Sequence, residues 1–102
     1  MLITNPITAA TRAVAVTGVV CCDLAGETVL LHLASNTYFG LDETGTQIWN
    51  SLRESRTIRE IRDELLRSYE VAPEQCEQAV IALISDLAKH GLVTLSLHEA
   101  TA

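Results

Sequence analysis

The sequence is short of positive charge. Seven Lys and Arg stand against 13 Asp and Glu, a net charge of -6 at pH 7, and such a surface repels phosphate backbones and anionic membranes. Nucleic acid and lipid are poor candidates for partners on this ground. Long apolar runs are also missing. No stretch approaches the roughly 20 apolar residues a membrane span needs, and the opening MLITNPITAATRAVAV has no basic start followed by an apolar block. A cytoplasmic protein is expected.

Cysteine is scarce and odd in number, three in the chain, with no C-x-x-C pair. Adjacent Cys21 and Cys22 would point to opposite faces of a strand, which strains a mutual disulfide, so reduced thiols are expected. The signatures of enzymes are absent too: there is no glycine-rich phosphate loop, no G-x-S-x-G and no H-E-x-x-H. His32, His90 and His98 fall in a strand, a helix end and a tail, none at metal-ligand spacing from a cysteine. The expectation is a protein without catalysis, metal or cofactor.

What is present is the composition of a globular module. Hydrophobic residues make up 48% of the 102 and charged residues 20%, which suits one core and leaves too little chain for a deep cavity between domains. The division expected is an N-terminal arm over 1–17, one domain over 18–97 and a tail over 98–102.

Three apolar runs, VVCCDL (19–24), TVLLHL (28–33) and TYFGL (37–41), are separated by short turns. They predict consecutive antiparallel strands joined by two hairpins, with Gly26 and Asn36 as the residues that tolerate positive φ. On the middle run Val29, Leu31 and Leu33 share one face, wholly apolar, while Leu30 and His32 share a mixed one.

The period then changes to that of helices. Asp42 is the expected N-cap of a first helix with Ile48, Trp49 and Leu52 inward, and Gly45 in its first turn lets it approach the sheet. The segment TIRE, Thr57 to Glu60, is a capping box that opens a second helix with Ile58, Ile61, Leu65 and Tyr69 on one face. Pro73 opens a third helix, closed by KHGL with Gly91 as left-handed cap and Leu92 folding back on Leu87. Its stripe is Cys76, Ala79, Val80, Leu83, Ile84 and Leu87, widened on one flank by Ile81 and Ala88. That flank is either unread core or surface offered to something else. VTLSL (93–97) has strand character. The fold class expected is α+β, winged helix-turn-helix-like, a three-stranded antiparallel sheet followed by three helices.

Such an order also suits a winged-helix DNA-binding regulator, and Arg53, Arg56, Arg59, Arg62 and Arg67 make a local basic cluster. Against this, Arg59 with Asp63 and Asp63 with Arg67 have the spacing of solvated helix pairs. The third helix carries Glu74, Glu77 and Asp86 with only Lys89, where groove reading needs Arg, Lys, Asn or Gln. The run 36–41 points elsewhere. If it is the sheet's last strand, its unpaired N–H and C=O groups form a template for a guest strand, and no Pro or Lys blunts it.

The register Y-F-G-L-D-E-T-G-x-x-I-W, Tyr38 through Trp49, with the TIRE start and the closing DLAKHGLV, resembles the PqqD-like family, the RiPP recognition elements, over residues 18–93. The resemblance implies a non-catalytic protein that binds the leader of a ribosomally made precursor peptide, the leader adding as a strand beside the third strand, in the groove against the third helix. It assigns peptide binding to Asn36, Thr37, Tyr38, Phe39, Gly40 and Leu41, and to Cys76, Val80, Ile81, Leu83, Ile84 and Leu87. Within the family the chain looks more like the stand-alone proteins of lasso-peptide pathways than like the protein of pyrroloquinoline quinone synthesis. The implied partners are a precursor leader and a leader peptidase of transglutaminase-like fold, or a radical-SAM enzyme if the pathway makes the quinone.

Overall fold

The computed structural model describes residues 7–24 and 27–97, without the side chains of Leu24 and Leu97. In chain order the elements are β1 (Thr11–Ala15), β2 (Val19–Leu24), β3 (Glu27–His32), β4 (Thr37–Leu41), α1 (Glu43–Ser51), β5 (Arg56–Thr57), α2 (Ile58–Leu66), α3 (Pro73–Lys89) and β6 (Val93–Leu97). The expected meander is β2-β3-β4, antiparallel throughout. Its second turn is closed by Asn36 at φ 57°; Gly26, expected in the first, lies outside the described residues, as do His98 and the tail.

A second sheet, β5-β1-β6, was not expected. Residues 11–15, read from sequence as part of an arm, pair along their whole length with β6, Thr11 opposite Leu97 to Ala15 opposite Val93. The run TRAVA hides its strand character because alanine is a poor strand former and its partner is distant in sequence. Ala13 is 1% exposed, so this strand closes one side of the core.

The helix ends follow local chemistry. Asp42 Oδ1 accepts from the Gly45 N–H at 2.8 Å, and a Cβ at Gly45 would meet Leu41 Cδ2 at 3.2 Å, so the glycine lets α1 start hard against β4. The capping box is complete: Thr57 Oγ1 accepts from the Glu60 N–H at 3.1 Å, and Glu60 Oε1 from the Thr57 N–H at 2.9 Å. At the end of α3 the Leu92 N–H reaches the Leu87 O (2.9 Å) and the Gly91 N–H the Ala88 O (3.0 Å), a Schellman closure with Gly91 at φ 74°. α2 stops at Leu66, so Tyr69 packs from beyond the helix and donates its hydroxyl to Gln47 Oε1 at 3.2 Å.

The core is built on Leu30 and Leu41 from the meander, Ile48 and Trp49 from α1 with Leu52 at its C-cap, Ile58, Ile61 and Leu65 from α2, and Val80, Ile84 and Leu87 from α3. The buried face of β3 is therefore the mixed one. Thr28 (6% exposed) and Leu30 (0%) point inward, while Leu33, on the wholly apolar face, is 59% exposed. The polar Thr28 is tolerated there because its hydroxyl donates to Asp23 Oδ1 at 3.2 Å. The helix-surface pairs also differ from the expected spacing. Arg62 binds Asp63 (2.8 Å) and crosses to Glu77 of α3 (2.9 Å). Asp63 before all else, then Glu77, lifts the Arg62 pKa above its ordinary value, and one member of the basic cluster is thereby committed to holding α2 against α3.

Candidate functional site

β4 is the terminal strand of its sheet, and the direction of each of its backbone groups follows from one hydrogen bond. The Leu33 N–H donates to the Gly18 O at 3.1 Å, and in that register Leu31 and Val29 also face β2. Backbone groups alternate sides along a strand, so Thr28, Leu30 and His32 face β4, and their partners Leu41, Phe39 and Thr37 are turned inward. Tyr38 and Gly40 are the residues of β4 whose N–H and C=O point off the edge.

The side chains alternate with the opposite consequence. Phe39 and Leu41 point to the core side, Leu41 3% exposed, and the Phe39 ring meets that of His90 edge to face, centroids 5.1 Å apart at 75°. This contact brings β4 against the C-terminal end of α3. Tyr38 points to solvent, 66% exposed.

Beside the edge runs an apolar cleft of about 480 Å³. β4 contributes Phe39, Gly40 and Leu41; the start of α1 contributes Asp42, Thr44, Gly45 and Ile48; α3 contributes Ala79 and Leu83. A second hollow of about 230 Å³ continues it, sharing Thr44 and Ala79 and bounded by Leu65, Tyr69, Val71, Gln75 and Cys76. The floor carries no reactive group: burial pushes the Cys76 thiol above its ordinary pKa, a shift that nearby Arg62 opposes without cancelling, so the sulfur stays protonated and weakly nucleophilic at neutral pH. Among the described residues no group of three or more His, Cys, Asp or Glu could hold a metal ion. A strand edge whose outward hydrogen-bonding groups meet no further strand among the described residues, lying along an apolar trough, is suited to an extended peptide.

Comparison with known proteins agrees with that geometry. The family model for coenzyme PQQ synthesis protein D (PqqD) matches residues 27–93. The chain belongs to the PqqD family. Two solved structures share its fold. TbiB1, in complex with the TbiA(beta) leader peptide, is 34% identical, with a TM-score of 0.71 over 87% of this chain and 98% of that one. Lasso peptide synthetase B1, complexed with the leader peptide, is 22% identical with a TM-score of 0.71, over 80% of this chain and 96% of that one. No curated protein matches the chain.

Within this PqqD-family fold the residues expected to bind peptide separate into three groups. Phe39, Gly40, Leu41 and Leu83 line the cleft, Cys76 lines the hollow that continues it, and Tyr38 holds the free edge. Val80, Ile84 and Leu87, all 0% exposed, support the cleft from beneath and offer it no surface. Asn36 lies in the turn, its N–H donating to the His32 O at 2.8 Å, and Thr37 is turned towards β3. Ile81 is on the far flank of α3, about 160° from Leu83 at 100° per residue, half-buried against the core. The flank that reaches the cleft is marked by Ala79, a member of the expected apolar stripe that stands exposed.

Proposed function

We propose that this chain is a non-catalytic recognition protein that binds the leader of a ribosomally made precursor peptide, of lasso type, by strand addition to β4, and delivers it to a processing enzyme. The observation that carries the reading is the pair of outward-facing backbone positions, Tyr38 and Gly40, set beside the apolar cleft. The 34% identical TbiB1, solved with a leader peptide, supports it.

The magnitudes suffice. Two outward residues offer up to four hydrogen bonds at about 0.5–1.5 kcal/mol net each. Apolar side chains seated in the cleft add about 1.5–3 kcal/mol apiece. Ordering a disordered leader costs about 2–5 kcal/mol, which leaves room for micromolar binding near about -8 kcal/mol.

The enzyme that receives the leader is, in this reading, a leader peptidase of transglutaminase-like fold, and the encounter takes place in the cytoplasm; no helix of the described residues is long and apolar enough to cross a membrane. The family match also supports a second reading, a peptide chaperone of pyrroloquinoline quinone synthesis that hands its peptide to a radical-SAM enzyme. Amide NMR titration of labelled protein with the precursor leader encoded in the same gene cluster tests the binding mode, with duplex DNA as control. Saturable shifts at 37–41, 44–48 and 75–83 are expected. No response to the leader, with salt-sensitive shifts at Arg53 to Arg67 on adding DNA, would refute it. Co-purification of the leader complex with each candidate enzyme separates the two pathways.

A further inference from the structure

Gly40 stands within the strand that meets the guest, and nothing among the described residues requires it. Its φ is not positive; among the described residues the glycines in that region are Gly18 and Gly91. A Cβ built on it meets no atom within 4 Å. Glycine weakens a strand, since it costs backbone entropy and leaves no side chain to pack, and an internal strand glycine with no bulge marks a close approach from outside.

The register says what the missing side chain uncovers. Gly40 is directly opposite Val29, which is opposite Cys22 in turn, and this row lies on the outer face of the meander. The neighbouring row is Val20, Leu31 and Tyr38, with Val20 41% and Tyr38 66% exposed. Tyr38 therefore stands beside a gap at Gly40, and through the gap the flank of Val29 is open. A strand added to β4 places one residue directly across from Gly40, its side chain on this same outer face. A short side chain there touches nothing. An aromatic one leans over the bare glycine, covers its backbone and reaches Val29, the arrangement by which aromatics compensate strand glycines.

We propose that Gly40 is a specificity notch: the peptide bound at β4 carries Phe, Tyr or Trp at the position opposite Gly40, its ring lying across the glycine onto Val29 and beside Tyr38, on the sheet face away from the cleft. This rests on strand addition at β4. It adds a determinant on the outer face of the added strand to whatever the cleft selects on the inner one.

The test is a selection from phage-displayed random 12-residue peptides on the wild-type protein and on Gly40→Thr, with winning peptides measured by fluorescence anisotropy. The wild-type protein enriches extended segments with an aromatic at one fixed position, and their binding is lost in Tyr38→Pro. Gly40→Thr binds those peptides at least about tenfold more weakly, although its Tm is equal or higher because threonine favours a strand. Replacing the fixed aromatic by alanine weakens wild-type binding and removes the difference between the two proteins. Equal affinity of both proteins for the aromatic peptides overturns the notch while leaving strand addition standing. Enrichment by neither protein overturns strand addition itself, and the notch with it.

Discussion

Proline at position 38 separates strand addition from every other way of using the cleft. The Tyr38 N–H points off the sheet edge, so proline there leaves the β4-to-β3 ladder intact; edge positions of this kind tolerate it. A guest strand loses one hydrogen bond, about 0.5–1.5 kcal/mol net, and keeps a carbonyl without its donor, which costs about 1–3 kcal/mol more. The sum, about 1.5–4.5 kcal/mol, is about a 10-fold to 1,500-fold loss of affinity at about 1.4 kcal/mol per decade. Tyr38→Ala is the control, since it removes the same ring and keeps the N–H. Leader affinity is measured by fluorescence anisotropy, and folding by circular-dichroism melting, in which both variants match the wild type to within a few degrees. Thr37→Pro gives the converse: its N–H turns towards β3, so the melting temperature falls. If Tyr38→Pro binds leader as tightly as Tyr38→Ala does, the guest does not pair with β4 and the function proposed for this edge is wrong.

Other outcomes follow from the packing. Thr57→Ala breaks the capping box at a cost of about 1 kcal/mol, read as a Tm lower by about 4–8 °C. Ile84→Ala empties a fully buried site and costs about 2–5 kcal/mol, a large share of the stability of a small domain, in a urea titration. Leu83→Ala, in the cleft wall, weakens leader binding more than it lowers Tm, while Ile81→Glu, on the opposite flank of α3, lowers Tm and leaves leader affinity of the folded protein unchanged. Thiol titration with Ellman's reagent at pH 7.5 consumes exposed Cys21 and Cys22 promptly and buried Cys76 slowly. Because burial raises the Cys76 pKa in the folded state, the unfolded chain loses that proton first. The stability this provides is complete below the unfolded thiol's pKa and is lost as pH rises through the folded one, so Cys76→Ala costs less in urea at pH 10 than at pH 7.5.

The features legible in the sequence are those fixed by a few neighbouring residues. Asp42 with Gly45, Thr57 with Glu60, and Gly91 with Leu92 each set a helix end through hydrogen bonds spanning a handful of positions, and the same bonds stand in the structure. The strand Thr11–Ala15 was illegible for the complementary reason: its register with β6 joins residues some 80 apart, and its own side chains are too small to signal a buried face. Which face of β3 is buried was likewise not set by the strand's own residues. Hydropathy favours Val29 and Leu31 for the core, but the face is chosen by where α1 and α3 sit, and the chain meets the cost of Thr28 with one hydrogen bond from Asp23.

The cleft flank of α3 shows why a binding surface is harder to read than a core. Apolar width along a helix reports how much of it avoids water, and Ile81 and Ala88 widen the stripe because that flank packs against the core. A wall that must stay open to receive a peptide cannot be made of large apolar residues alone without closing the trough or exposing a sticky patch. Ala79 and Leu83 meet this constraint as a small residue and a large one a turn apart. On the opposite wall the strand contributes the backbone of Gly40, whose missing side chain belongs to the other face of the sheet, where no atom of the described residues stands within 4 Å of a built Cβ. The informative signals of the site are thus small residues where the fold itself would accept larger ones: Ala79 keeps the trough open at no cost to its helix, whereas Gly40 weakens its strand, a loss that a bound strand can return.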